Sequence, residues 1–474
     1  MKRIGKYIFA MALAAVGCNA MAQGLHSAYF VDEYLMRHNL NPAYGNDRNY
    51  VSLPGVGHVN VRTQGNFGLG DVLFDNPRYG IDSPKKKTTF MNPYISASDA
   101  LKGFASGANR LGAEVDVTLL SGGFKAWGGY NTVSVDARAH MGASLPYALF
   151  EFAKNTGNQT YNIDDLHVQA QSFVQVAVGH SRNLTPKWRV GGKMKLLLGL
   201  GRGDVHVSNL RADLADDNRW TMTGRAEASV SMKGFAYKQK QKQYKQDGKG
   251  SYTYVNDVDV DAPGVSGVGL AFDLGAVWKP NGDWRLSASV VDLGFISWSN
   301  NLTAVNKQES FVFDGFHDIA YNKHDSQGNL KPNSFKGQGN KYADQLVDFA
   351  NLTDQGDQGS RTTGIGATIH LGAEWVFPLY RPLKIGLLSS TRLNGPYTWT
   401  EGRLSANVAP LPWLDGALSF AAGSYATSFG WVVNVHPKAF NVFIGMDHIL
   451  GKVSREMIPL SSNASLNVGF NVAF

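Results

Sequence analysis

Charged residues recur two apart along this chain: Glu114 with Asp116, Asp136 with Arg138 and His140, Lys193 with Lys195, Arg225 with Glu227, and, four apart, His370 with Glu374. On an extended backbone, residues two or four apart share one face. Both signs occur, so a wall carrying these faces inward has two uses. It forms an internal network of ion pairs and water that holds a plug and keeps a barrel round, or it forms a polar conduit that selects by charge. Neither use is a reaction. The chain has no G-x-S-x-G elbow, no G-x-x-x-x-G-K-[ST] phosphate loop and no H-E-x-x-H. Gly199, Gly201 and Gly203 end an apolar strand, where a tight extracellular turn explains them, and Asp165 with His167 or Asp447 with His448 are chance neighbours in a chain this long. The reading names no catalytic residue, no metal site and no cofactor, and it expects no enzyme, a hydrolase surviving only as a residual that a cluster of Ser, His and Asp or Asn at the lipid-facing rim would revive.

Strands must position these charges. Apolar residues occupy Leu111, Ala113, Val115, Val117 and Leu119 against Gly112, Glu114, Asp116 and Thr118. Seven odd positions from Val133 to Leu145 do the same against Thr132 to Ser144. Alternation recurs through Leu166 to Val178, Trp188 to Leu200, Met222 to Met232, Val268 to Trp278, Ile365 to Phe377, Phe429 to Val435, Phe440 to Met446 and Leu466 to Phe474. Such spans approach the ~9–11 residues with which a tilted strand crosses the hydrocarbon layer, and no segment offers the ~20 apolar residues of a transmembrane helix. Trp188, Trp278, Trp284, Trp375 and Phe377 fall at strand ends, where an interfacial girdle sits. The fold class is all-β, a transmembrane antiparallel β-barrel with an N-terminal plug segment.

Short proline connections stand at Thr185-Pro186-Lys187, Lys279-Pro280, Arg381-Pro382, Leu411-Pro412-Trp413 and His436-Pro437-Lys438; long polar ones span 64–108, 147–163, 234–263 and 298–361. Short turns face the periplasm and long loops face outside, so an even number of strands separates any two proline turns. Three clear strands lie between Pro186 and Pro280, which implies a fourth near Val205 to Leu214. The barrel then has 16 strands, or 14 if two weak ones are loop.

Both ends of the chain agree with this architecture. Residues 1–22 read as a secretory signal, with Lys2, Arg3 and Lys6 before an apolar run and Ala20-Met21-Ala22 as the cleavage site, so the mature chain starts at Gln23. The only cysteine, Cys18, is removed with it, which excludes an internal disulfide. Cleavage takes three cations and lowers the formal charge from +7 to +4, a balance that implies no nucleic-acid partner. Gly 53, aromatic 11% and a mean hydropathy of −0.21 fit a barrel polar inside and apolar outside. The domains are therefore the signal 1–22, a hatch or plug 23–50 and a barrel 51–474.

Leu466-Asn467-Val468-Gly469-Phe470-Asn471-Val472-Ala473-Phe474 alternates without error and stops on an aromatic. It resembles the terminal strand by which outer-membrane barrels are recognised for insertion, which makes Phe474 an assembly signal, the barrel-assembly machinery a partner and the outer membrane the location. Ahead of the first strand, Asn41-Pro42-Ala43 closes an amphipathic run from Ala28 to His38. With a large barrel closing on Phe, this resembles the FadL-like family of outer-membrane transporters for long-chain fatty acids and other hydrophobic compounds, whose N-terminal segment folds inside the barrel as a hatch. Here Tyr44-Gly45-Asn46 follows where that family continues with Gly and an apolar residue. Asn-Pro-Ala-Tyr-Gly also resembles the opening of the shorter SprF/PorP-like barrels of type IX secretion, and the length matches uncharacterised FadL-related barrels. The resemblance implies passive transport of a small hydrophobic ligand; the alternative is an adaptor barrel with a secretion-system or surface-attachment partner. By ordinary backbone chemistry Asn41 and Pro42 are also simply a turn.

In the first long loop Ser98 is placed to cap a short helix presenting Leu101 and Phe104, either as a landing site for an apolar ligand or as pins holding the loop to the rim. Lys238, Lys240, Lys242, Lys245 and Lys249 lie in loop 234–263, where they meet the phosphates of outer-membrane lipid and lipopolysaccharide or are simply solvated. Asp257, Asp259 and Asp261 nearby lack the glycine and terminal glutamate of a calcium loop.

Overall fold

The computed structural model describes residues 24–216, 219–245, 250–320, 323–449 and 462–474; the signal 1–22 lies outside them. Fourteen antiparallel strands close into one barrel. They are β1 (Tyr50–Ser52 and Val59–Gly65), β2 (Ala108–Ala126), β3 (Gly129–Pro146), β4 (Thr160–Asn183), β5 (Trp188–Asp213), β6 (Trp220–Met232 and Gly267–Trp278), β7 (Trp284–Trp298 and Leu302–Asn306), β8 (Arg361–Gly364 and Ala367–Val376), β9 (Leu383–Leu393), β10 (Trp399–Leu411), β11 (Leu414–Gly423), β12 (Thr427–Val435), β13 (Phe440–Met446) and β14 (Ala464–Ala473). The seam pairs Val59 with Val468 and Thr63 with Ala464, and Tyr50 with Ala473. Asn49 and Phe474 exchange both backbone hydrogen bonds at 3.0 Å. Closure leaves no sheet edge for lipid to meet.

The count settles at the lower expected value for a physical reason. Trp188 to Leu200 and Val205 to Leu214 are not two strands; β5 runs unbroken for 26 residues, rising well above a membrane's thickness. Gly199, Gly201 and Gly203 therefore lie inside a strand, not in a turn, and a side chain at Gly199 would strike the Trp298 ring. Met222 to Met232 and Val268 to Trp278 are likewise two halves of β6, since both pair with β5. Between them the chain leaves the wall as a hairpin, Phe235–Gln243 with Ser251–Val260. Two strands, an even number, thus separate Pro186 from Pro280.

Alternation decides which face each residue takes. On β10, Trp399, Glu401, Arg403, Ser405 and Asn407 are buried while Leu404 is exposed; on β14, Asn467 and Asn471 are buried and Val472 is exposed. The exposed belt includes Met194, Leu196, Leu270, Phe272, Phe295, Leu371, Leu387 and Phe420. At the short-turn end Trp188 stacks on Trp278 with ring centres 5.7 Å apart, and Trp284 meets Trp375 across β7 and β8. Among the described residues no helix is long and apolar enough to cross a membrane.

Residues 24–49 fill the lumen. They form two short 3-10 turns, His26–Ala28 and Leu35–Asn39, and bury Leu25, Tyr29, Tyr34, Leu35 and Met36 completely or nearly so. At the other end, the first loop packs Phe67, Phe90, Ile95, Leu101 and Phe104 against Phe150 on the helix Tyr147–Lys154 of the next long connection. Its helix Ala97–Leu101 is capped by Ser96, whose hydroxyl accepts the Asp99 N–H at 3.1 Å, rather than by Ser98.

Candidate functional site

The lumen and its plug form the candidate site. Asn41-Pro42-Ala43 makes a turn within it: Asn41 Oδ1 accepts the Ala43 N–H at 2.9 Å, and Asn41 Nδ2 reaches the Tyr29 hydroxyl at 3.3 Å. The wall is hollowed to receive this segment. A methyl group at Gly191 would run into the Pro42 carbonyl, and one at Gly386 into the Phe30 ring. Glycine at these two wall positions is what lets the plug lie against the strands.

Three polar anchors hold the plug. Toward the outer end, Asp447 accepts the backbone N–H groups of His26 and Ser27 at 2.9 and 2.7 Å and the Ser27 hydroxyl at 2.8 Å. At mid-height, His38 Nδ1 accepts from Lys193 Nζ at 2.7 Å, so its Nε2–H donates to the Tyr50 hydroxyl, also at 2.7 Å. Toward the short-turn end, Asp32 meets Arg37 at 2.8 Å, Arg285 at 2.7 Å and the Lys384 ammonium. Burial pushes the Asp32 carboxyl up, but the three cations outweigh it and hold it well below the usual carboxylate range.

The wall charges form layers around these anchors. Arg138 bridges Asp116 and Asp292, each at 2.8 Å, and Lys195 bridges Asp292 and Asp273 at 2.6 and 2.7 Å. Asp136 accepts from the Thr118 and Ser134 hydroxyls and the Gln175 amide at 2.7, 2.7 and 3.0 Å. Glu374 meets Arg285 at 3.2 Å, Glu114 meets Arg392 at 3.2 Å, and His370 Nδ1 pairs with Ser390 at 2.8 Å. His140 packs edge-on to Phe173. Arg225 and Glu227 stand apart from this set: they sit half-exposed high on β6, where Arg225 meets Glu309 at 2.9 Å.

Several members of the site were not among the charges read from the sequence. Glu401 and Arg403, two apart on β10, pair at 2.9 Å; Arg62 and His448 approach at 3.3 Å beside them, and Arg62 stacks over Trp399. Asp292 and Asp447 come from irregular strand segments. Asp292 adopts a positive φ of 62° where the β6–β7 register shifts. After Trp431 pairs with Met446, the next link runs from the Ile449 N–H to the Phe429 carbonyl, so Asp447 and His448 bulge and both become buried. The spacing of Glu401 and Arg403 was a legible signal; Asp447 with His448, read from the sequence as chance neighbours, instead stand together in the site, and Asp292 gave no signal.

The spaces left between plug and wall are small and charged. One cavity of about 40 Å³ is lined by Gly24, Asp116, Asp136, Arg138, Lys195 and Asp292 among others. A second, about 30 Å³, lies outward of it, beside Arg62, Arg110, Glu114, Arg392 and Tyr397. Each has room for only a few waters, well under the ~300–1,000 Å³ typical of small-molecule pockets. Leu101 and Phe104 do not reach the lumen; both are buried between the first loop and the helix Tyr147–Lys154, where Phe104 stacks on Phe150 at 3.8 Å. Among the described residues no group of three or more His, Cys, Asp or Glu side chains is arranged to hold a metal ion.

The family model for DUF5723, a family of unknown function, matches residues 42–447, from the plug's turn to its outer anchor. The chain belongs to that family. No curated protein matches this DUF5723 chain by sequence. Solved structures similar to it include the Pseudomonas putida toluene transporter TodX, at 10% identity over 97% of this chain and 95% of that one with a TM-score of 0.39. The Ralstonia pickettii toluene transporter TbuX is similar at 10% identity over 97% and 95%, with a TM-score of 0.38. A Pseudomonas aeruginosa FadL homologue is similar at 10% identity over 96% and 95%, with a TM-score of 0.30.

Proposed function

We propose that this chain is a gated outer-membrane barrel that passes small hydrophobic compounds by binding and diffusion, with residues 24–49 as the gate. The observation that carries this reading is the manner of seating. The plug lies in the lumen against dented strands and is held through Asp447, Lys193 and the Asp32 cluster by hydrogen bonds and ion pairs. Such contacts break singly and exchange with water, so the segment can shift while the wall stays closed. At the mouth, the aromatic loop core and the exposed Tyr79, Ile81, Met91 and Tyr94 supply the apolar surface a hydrophobic solute meets first. Lys238, Lys240 and Lys242 on the outer hairpin face the phosphates of surrounding lipopolysaccharide, and the exposed Phe474 ring serves the assembly machinery. The test is uptake of a toluene-class solute and a long-chain fatty acid by vesicles carrying the protein, against empty vesicles. Faster entry of either supports the reading; no difference for any hydrophobic solute rejects it.

One observation favours the adaptor reading as a second possibility. The outer hairpin and the helix Phe335–Ala350 are joined into one platform: Tyr244 donates to Asp348 at 2.8 Å and the Lys245 N–H to Asp344 at 2.8 Å, while Phe335 and Leu346 stay exposed. A stoichiometric protein partner recovered from outer membranes would support it, and recovery of the barrel alone would count against it.

A further inference from the structure

Outward of the plug, three arginines converge on one carboxylate. Arg62 and Glu114 stand directly opposite each other on β1 and β2, and Arg110 lies four residues from Glu114 on the same face of β2. Arg392 meets Glu114 at 3.2 Å from β9. Strands seven apart in a ring of fourteen face each other, so this ion pair crosses the lumen. Arg62 stacks over Trp399 of β10, and its nearest carboxylate, Glu401 at 3.9 Å, is engaged more closely by Arg403 at 2.9 Å. These side chains line the cavity of about 30 Å³.

Their bonding capacity is not used up. Arg62 and Arg392 are each only 2% exposed, yet Arg62 Nε and Nη1, Arg392 Nη1 and Arg110 Nε have no hydrogen-bond partner among the described residues. Glu114 Oε2 has none either. Buried N–H groups left in this state call for an occupant, and three cations against one carboxylate call for an anion. Guanidinium forks match the edge of an oxyanion better than a single point charge. The spare carboxylate oxygen narrows the choice. Sulfate, chloride or a carboxylate would face Glu114 with acceptors or charge alone, whereas phosphate at neutral pH keeps an O–H that can donate to it. Space for a few waters leaves no room for an attached chain.

We propose that this cavity binds inorganic phosphate: the spare N–H groups of Arg62, Arg110 and Arg392 donate to its oxygens, and its own O–H donates to Glu114 Oε2. The bound ion ties β1, β2 and β9 together across the lumen, outward of the plug. The site stands on the geometry of the wall, so its failure leaves the transport reading standing.

The test is equilibrium dialysis of the full mature protein, folded in detergent, against radiolabelled inorganic phosphate at fixed ionic strength. The expected result is one saturable site per chain with a Kd below ~1 mM, displaced by unlabelled phosphate and not by an equal concentration of sulfate or chloride. Arg392→Gln and, at the half-buried edge, Arg110→Gln, each confirmed as folded by heat-modifiable gel mobility, should weaken binding about tenfold. Glu114→Gln can donate where the carboxylate cannot, and should bring sulfate level with phosphate. A phosphate-monoester lipid added in mixed micelles should leave the bound ion in place. Absence of saturable binding, displacement by sulfate or by the lipid, affinity unchanged in both folded arginine variants, or an unmoved preference over sulfate in E114Q overturns the proposal.

Discussion

Asp447 takes hold of Ser27 twice, accepting its backbone N–H at 2.7 Å and its hydroxyl at 2.8 Å. The two residues come from opposite ends of the chain, and the same carboxylate lies 3.8 Å from Arg403. Truncating one side of a buried charged contact costs ~3–5 kcal/mol because the partners stay behind without it. Asp447→Ala should therefore free the front of the plug while leaving the barrel folded. Planar-bilayer recordings should show more frequent open events than wild type; an unchanged record would mean that Asp447 does not hold the gate.

The periplasmic-end anchor has a defined pH response. Asp32 is depressed in the folded chain because Arg37, Arg285 and Lys384 outweigh the cost of its burial. A carboxylate with a lowered folded pKa stabilises fully above its unfolded value of ~3.9 and loses that contribution as pH falls through the folded value. Plug seating should thus be flat from neutral pH down to the ordinary carboxylate range and weaken only in stronger acid. Channel activity measured against pH should rise on that acid limb, and Asp32→Asn should show the raised activity at every pH.

Wall glycines make a steric prediction. Gly191→Val sets a branched side chain where the Pro42 carbonyl lies, and overpacking of this kind costs ~1–3 kcal/mol. The cost falls on the plug, since the strand pairing of β5 is untouched. At Gly122, by contrast, a methyl would meet only the Tyr50 carbonyl, at 3.5 Å. Limited proteolysis should cut the N-terminal segment in G191V and spare it in Gly122→Ala, with both barrels remaining heat-modifiable on gels.

Much of this was legible because a barrel wall obeys a period of two. Asp116, Arg138, Lys193 and Lys195 could be placed inward from parity alone, and an even strand number is what lets the first strand close antiparallel on the last. The strand count was harder, because β5 outruns the membrane and β6 is interrupted by a hairpin, so length no longer equals one crossing. Asp292 went unread, and Asp447 with His448 was set aside as a chance pair although both are buried in the site, for a related reason: a bulge inserts a residue and inverts parity beyond it. Glu401 with Arg403 obeyed the rule, but β10 was not among the segments recognised, so its inward pair went unread. The cap on the first loop moved by two residues, to Ser96, since Ser96 and Ser98 are equally able to accept an amide and only the folded turn chooses.

The outer loop core is separable from the barrel. Phe104 stacks on Phe150 at 3.8 Å, and deleting a buried aromatic costs ~3–5 kcal/mol. Phe104→Ala should unfold the loop locally, visible as new protease cuts between residues 66 and 107, without lowering the barrel's melting temperature. If the aromatic mouth gathers hydrophobic solutes, uptake should fall in the same variant.

The central claim is that solute passes only when the plug moves. Ser27 and Ser419 bring their hydroxyl oxygens to 3.0 Å, one on the plug and one on the wall, and the single cysteine of the whole sequence, Cys18, precedes the proposed cleavage site. A Ser27→Cys, Ser419→Cys pair is therefore placed to form one disulfide and no other. Vesicle uptake of a toluene-class solute by this double variant should stop on oxidation and recover on reduction, whereas uptake that continues unchanged with the disulfide formed would contradict a plug that gates the lumen.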